Sequence, residues 1–145
     1  MARRYLTVEE QQAIIERAQN RCEYCQSQMS YATQSFVFEH ITPLSRGGET
    51  MLDNLTLAYG GGNGHKYNKV AVPDPIDGEM VSLYHPRQQQ WSDHFGWNDD
   101  YTQVIGLTPT GRATVEALNL NRPGVVNIRR LLWAIGKHPP RFTEG

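Results

Sequence analysis

Four residues within one stretch of 25 could do chemistry together: Glu39 and His40 side by side, Asn54 fourteen residues after His40, and Asn63 nine after Asn54. A carboxylate and an amide oxygen are hard ligands suited to Mg²⁺ or Mn²⁺. A neighbouring imidazole can take a proton from water near neutral pH. An asparagine close to that imidazole can hold its ring by a hydrogen bond. Together these parts suit metal-assisted hydrolysis of a phosphodiester, in which the metal stabilises charge on the phosphoryl oxygen and the leaving group. Singly, each fragment has a plainer reading. Glu-His at a strand end is commonly a satisfied polar pair, and Asn54 alone is most often a turn residue. The joint spacing is what those plainer readings do not account for.

The elements that must position these residues follow from local pattern. Ser35 to Ile41 is a short aromatic and β-branched run, hence a strand that ends on Glu39-His40. Pro43 and Arg46-Gly47-Gly48-Glu49 form a loop, and Asp53 to Ala58 reads as a turn leading into a second strand or extended piece. Ahead of them, Thr7 is a candidate N-cap with Glu9 and Glu10 in the first turn, predicting a helix from about Val8 to Gln19. After the glycine-rich run Gly60 to Gly64, residues 66–69 suit a short helix. Pro73 to Gly78 is a turn cluster. Met80–Tyr84 and Tyr101–Leu107 look like strands, joined by an irregular connection that Trp91, Phe95 and Trp97 anchor. Thr110–Leu120 and Pro123–Ile135 suit helices, the second with Pro at its first turn.

Cys22 and Cys25 form one Cys-x-x-Cys. A redox pair of this kind opens a helix after a strand. Here it follows a helix and sits on a turn, as metal knuckles do. The glycine run lacks the Gly-Lys-Ser/Thr ending of a phosphate-binding loop. His85, His94 and His138 read as surface or packing histidines, and the tryptophans as core.

The 145 residues are one domain's worth, and a fifth of them are charged. No apolar run is long enough to span a bilayer, and two N-terminal arginines without an apolar stretch behind them do not make a secretory leader, so the expected compartment is the cytoplasm. The net charge of −1 is unevenly spread. Residues 101–145 carry six Lys/Arg against two acids (+4), and residues 1–100 carry eight against thirteen (−5). That basic third could track a phosphate backbone, although charge counts alone favour a solvated helix face.

Taken together, Arg21-Cys22-Glu23-Tyr24-Cys25, Phe38 through Glu49, Asp53-Asn54-Leu55 and Asn63-Gly64-His65-Lys66 resemble the HNH endonuclease family. The pattern is an acid and His ending a strand, a Gly-Gly loop, an Asn-Leu, and an Asn or His beginning a helix. The flanks around His85-Pro86-Arg87 and Trp91 to Phe95 resemble those of small stand-alone bacterial members. The resemblance implies an α+β fold in one domain, residues 1–145. Its ββα-metal core spans about 21–69, and a strand and helix extension covers 70–145. It implies His40 as general base, Asn54 orienting it, and one divalent metal on Glu39 and Asn63: Mg²⁺ or Mn²⁺, with Ni²⁺ or Zn²⁺ as alternatives. His65 or Lys66 would touch the metal shell or the scissile phosphate, Arg46 a flanking phosphate, and the partner would be nucleic acid, double-stranded DNA in the first instance, with no membrane. One departure stands out. Many members carry a second Cys-x-x-Cys where Tyr59 and Gly62 stand, so a four-thiolate zinc site does not form. Either histidines complete the site or Cys22 and Cys25 are the remnant of one and the core packs without zinc; the remnant is the preferred reading, and structural zinc is not expected. The alternative reading is a nuclease-derived nucleic-acid-binding module that has lost productive metal geometry.

Overall fold

A computed structural model describes residues 4–32, 34–59 and 69–140. Helix α1, Val8–Arg17, starts as its sequence dictates. Glu10 N–H donates to Thr7 Oγ1 at 3.1 Å while the Thr7 N–H donates to Glu10 Oε1 at 3.0 Å, a reciprocal cap. It stops two residues short of expectation because Gln19 and Asn20 take left-handed φ of 55° and 59°.

The chain then makes the knuckle that holds both cysteines. Arg21 and Gln28 bridge in antiparallel fashion, and Cys22 N–H donates to Ser27 O at 2.8 Å. Strands β1, Phe36–His40, and β2, Leu55–Tyr59, pair antiparallel with Phe36 opposite Tyr59, Glu39 opposite Thr56 and His40 opposite Leu55. Successive strand residues face opposite ways, so this hairpin has two apolar sides. On one side Leu55 and Leu57 bury against Ile14 of α1 and Ala18 at its C-cap, with Phe36 and Phe38 at the margin. On the other, Ala58 packs with Cys22, Tyr24 and Cys25 in a larger core completed by the C-terminal half, which Tyr59 joins from the end of β2.

That half holds two more antiparallel pairs. β3, Ala71–Pro73, pairs with β4, Met80–Ser82, and β5, Phe95–Trp97, with β6, Val104–Gly106. The connection expected to be irregular is instead ordered: one helical turn, α2 (Trp91–His94), runs directly into β5. Its aromatic rings explain this, since Trp91 packs on Phe95 and Trp97 with centroids 5.2 and 5.7 Å away. Helix α3, Pro109–Ala117, is capped by Thr108 and ends earlier than predicted, where Asn119 turns left-handed (φ 50°). Helix α4, Pro123–Ala134, begins on its proline as expected. Arg129, 3 % exposed, donates to Cys25 O at 3.0 Å and Leu120 O at 2.9 Å, tying α4 to the knuckle.

The described residues are thus a mixture of helices and small two-stranded sheets, and none of their helices is long and apolar enough to cross a membrane. The short helix expected at 66–69 falls almost wholly on residues outside those described.

Candidate active site

The loop leaving β1 is built by backbone geometry. Leu44–Arg46 forms a 3-10 turn that ends on Gly47 at φ 89°. Gly48 passes so close to the chain behind it that a Cβ there would lie 1.9 Å from Thr42 O. The Gly-Gly of the motif is therefore required twice, once for dihedral and once for space. Asn54 closes this loop. Its Oδ1 accepts from Thr42 N–H at 2.8 Å, and its Nδ2 donates to Thr42 O at 3.0 Å and Glu49 O at 2.8 Å. An amide nitrogen has two protons, and both are committed to backbone carbonyls. Asn54 therefore holds the loop that follows His40, the geometry through which it can bear on the ring.

The ring meets Thr50, which no motif pointed to. His40 Nε2 lies 2.9 Å from Thr50 Oγ1. Thr50 is itself buried, and its carbonyl accepts from Arg4 Nη2 at 2.6 Å. Arg4 in turn forks onto the Glu10 carboxylate at 2.9 and 2.8 Å. The guanidinium holds the Glu10 carboxyl down at about 2, helped by the Thr7 N–H. A chain of contacts thus runs from the cap of α1 to the imidazole. His40 lines a cavity of ≈ 330 Å³ with Arg4, Gln11, Phe38, Thr50 and Leu55.

Glu39, as strand alternation requires, faces the other way. It lines a cavity of ≈ 10 Å³, room for about one water molecule, with Cys22, Tyr24, Cys25, Tyr59 and Arg122. Two donors in that wall, Tyr24 Oη and Arg122 Nη2, are buried with no hydrogen-bond partner among the described residues. Burial, and then the Glu39 charge, pushes the Tyr24 phenol well above its ordinary value. Arg122 also lies over the Tyr59 ring at 5.1 Å. The described residues therefore do not bring Glu39 and His40 into one cavity.

Of the remaining candidates, Arg46 is exposed on the loop tip. Asn63, His65 and Lys66 lie outside the described residues. Cys22 and Cys25 are buried free thiols with knuckle geometry: Cys22 Sγ accepts the N–H groups of Tyr24 and Cys25, each at 3.4 Å. Burial pushes the Cys22 thiol up, whereas Cys25 is drawn down by hydrogen bonds from Cys22 and Ser27 and by the Arg129 charge. Among the described residues no group of three or more His, Cys, Asp or Glu could hold a metal ion. The donor that suits a hard divalent cation there is the Glu39 carboxylate; the two thiols favour softer ions.

The basic C-terminal third divides when seen in three dimensions. Arg129 is buried on four backbone and amide oxygens, and Arg112 is paired with the buried Asp74 at 2.7 Å. Arg122 packs on Tyr59, and Arg130 and Lys137 are left exposed. Arg141 lies outside the described residues. A continuous phosphate-tracking helix face is not what these residues form, because half of those charges serve packing.

Comparison with known proteins accords with this arrangement. Residues 22–69, a third of the chain, match the family described as HNH endonuclease. That segment holds the knuckle, β1, the stapled loop and β2. No curated protein and no solved structure matches the chain. The family match supports a nuclease-type activity on nucleic acid, served by a divalent metal and a ββα-metal fold.

Proposed function

We propose that the protein is a metal-dependent endonuclease that hydrolyses phosphodiester bonds in DNA, with His40 as its general base. The observation that carries this reading is the held imidazole at the hairpin's end. In the tautomer whose Nε2–H donates to Thr50 Oγ1, Nδ1 is the basic nitrogen, the one that would take the proton from the attacking water. Thr50 holds the ring in place while Arg4 fixes the Thr50 backbone and Asn54 fixes the loop between. Oxygen attack on phosphorus breaks the bond to the leaving oxygen, which takes its proton from solvent water. Glu39 and Asn63 would hold one Mg²⁺ or Mn²⁺, which when bound supplies charge stabilisation at the phosphoryl and leaving oxygens. His65 or Lys66 would contact the scissile phosphate or the metal shell, and Arg46 a neighbouring phosphate.

Nicking of supercoiled plasmid by the purified protein, with Mg²⁺, Mn²⁺ or EDTA and beside folded His40→Ala, tests this. Metal-dependent nicking that falls at least about 100-fold in the variant supports the assignment, since a positioned base contributes 10²–10⁴-fold. Equal cutting by a folded His40→Ala protein would remove the base. A second reading, a binding module without catalysis, is favoured by Tyr59. Its ring, buried on Phe36 at 5.1 Å, fills the wall where a second cysteine pair would otherwise stiffen the approach to Asn63. DNA binding with no cleavage by any divalent metal would select it.

A further inference from the structure

Away from the hairpin's catalytic end, a cleft of ≈ 330 Å³ opens between the last turn of α1, the knuckle and the segment 84–92. Three arginines line it: Arg17, Arg21 and Arg87. One carboxylate, Glu23, lines it with them, and both its oxygens are already engaged. Oε2 pairs with Arg87, and Oε1 accepts from Thr56 Oγ1 at 2.8 Å. Arg17 is pinned by neutral groups, donating to Leu52 O at 2.8 Å and Leu55 O at 2.6 Å. Arg21 donates to Gln19 Oε1 at 2.7 Å. Arg87 Nε is buried and has no hydrogen-bond partner among the described residues. The wall therefore carries three cations against one carboxylate, with Asp53 as the further acid that Arg17 feels. Burial lowers all three guanidinium pKa values, and the Arg17 charge lowers that of Arg87 further, to about 10. Holding like charges together in a partly dry wall is unfavourable unless something anionic enters. Guanidinium forks match the paired oxygens of a phosphate.

The position of the cleft says which phosphate. Leu55, whose carbonyl Arg17 holds, is the cross-strand partner of His40. A second cleft, of ≈ 310 Å³, begins at Ile41 and Thr42, just past His40, and includes Lys69 and His85. The two clefts share Tyr84, Gln88 and Gln89 as a common wall. A furrow with cationic sides thus leads from the residues after the proposed base into the arginine cleft.

We propose that the Arg17–Arg21–Arg87 cleft is a backbone-binding site that holds a nucleic-acid phosphodiester flanking the scissile one. The ligand's identity rests on the nuclease reading, but the test reads binding and not cleavage. Gln88 is exposed on the shared wall, and its side chain makes no hydrogen bond among the described residues, so changing it leaves the framework intact. In a His40→Ala background with EDTA, anisotropy of a short labelled duplex is followed across salt for the parent protein, Gln88→Lys and Gln88→Glu. Gln88→Lys should tighten binding several-fold and steepen the slope of log K against log[salt] by up to about 0.9, the increment expected for one added phosphate contact. Gln88→Glu should weaken binding by roughly the same factor. Arg87→Gln, checked for folding by circular dichroism, should weaken it by about tenfold or more.

Unchanged affinity and salt slope in both Gln88 variants would overturn the proposal, whether or not the protein cuts DNA. So would inorganic phosphate raising the melting temperature while duplex binding ignores both substitutions, which would mark a small-anion site. If the Gln88 pair behaves as expected and plasmid is never cut, the cleft stands and the nuclease reading falls.

Discussion

β1 carries Glu39 and His40 next to one another yet places them in two different surroundings. On the His40 side each polar group has a partner: the ring on Thr50, the Thr50 carbonyl on Arg4, Arg4 on Glu10, and the loop carbonyls on Asn54. On the Glu39 side, Tyr24 Oη and Arg122 Nη2 are buried with no hydrogen-bond partner among the described residues, facing a cavity about one water wide. The first side is organised for one ring in one orientation, as a general base requires. The second is a small polar pocket that Glu39 lines together with Tyr24 and Arg122. Adjacent residue numbers thus disguise two surroundings: a ring held by a hydrogen-bonded loop on one side of β1, and on the other a carboxylate beside buried donors, unpartnered among the described residues.

The sharpest way to break the comparison is at Asn54. Asn54→Asp keeps the acceptor for Thr42 N–H but turns both donors into a charged oxygen facing Thr42 O and Glu49 O. Two lost hydrogen bonds and the new repulsion should remove about 2–3 kcal/mol of stability. At roughly 2–4 °C per kcal/mol for a chain of this size, thermal melting should fall by about 4–12 °C. A variant melting within a degree of the parent would mean that the loop is not held by this side chain. The two sides of β1 would then differ less than the hydrogen bonds indicate.

The opposite change belongs on the opposite side. Tyr24→Phe deletes a buried hydroxyl that has no partner among the described residues and keeps the ring in its edge-on contact with Tyr84 at 6.3 Å. Leaving such a group unsatisfied is unfavourable by about 1–3 kcal/mol, so its removal should be neutral or stabilise the fold by up to about 1 kcal/mol. A rise or no change in melting temperature sharpens the contrast. A clear fall would show that a water in the small cavity satisfies the hydroxyl, and that both sides of the strand are fully bonded.

Much of this contrast was written in local sequence. Alternation along Phe36–His40 obliges Glu39 and His40 to face apart, and the aromatic and β-branched run marks the strand itself. Thr7 with Glu10 announces the start of α1, and Cys22 to Gln28 reads as a knuckle from its spacing and its place after a helix. What local sequence does not carry is which atoms meet across the fold. Thr50 follows the Gly-Gly loop without any pattern of its own, and Arg4 lies 46 residues before it, so the bonds that hold His40 depend on α1 docking against β2. Asn54 was recognisable as important, but its partners follow from the loop path that Gly47 and Gly48 permit. β3 and β5 are three residues long, too short for a periodic signal, and are held by packing of Val72, Phe95 and Trp97. The basic third misled because counting charges does not tell a buried Arg129 from an exposed Arg130.

The smallest expected effect tests whether α1's cap belongs to the His40 side at all. Arg4 and then the Thr7 N–H hold the Glu10 carboxyl near 2, against about 4.5 for the free group. A carboxylate whose folded value is depressed contributes stability that is full above its unfolded value and is lost as pH falls toward the folded one. The Glu10 contribution is therefore present at neutral pH and disappears between about pH 4.5 and about pH 2. Arg4 and Glu10 side chains are 48 % and 22 % exposed, so the contribution is modest and shrinks further as salt is added. Glu10→Gln should flatten the acid limb of melting temperature against pH in that window at low salt. A residual slope should persist from Asp74 and Asp100, which Arg112 and Thr102 respectively hold below the usual range. If Glu10→Gln also lowers the affinity of His40 for its proton, read from the imidazole shifts in an NMR titration, then the cap, Arg4 and Thr50 act on the ring as one unit. An acid limb that flattens while the His40 titration stays where it was would confine the ion pair to anchoring the chain ahead of α1, and separate it from the Thr50 contact to the ring.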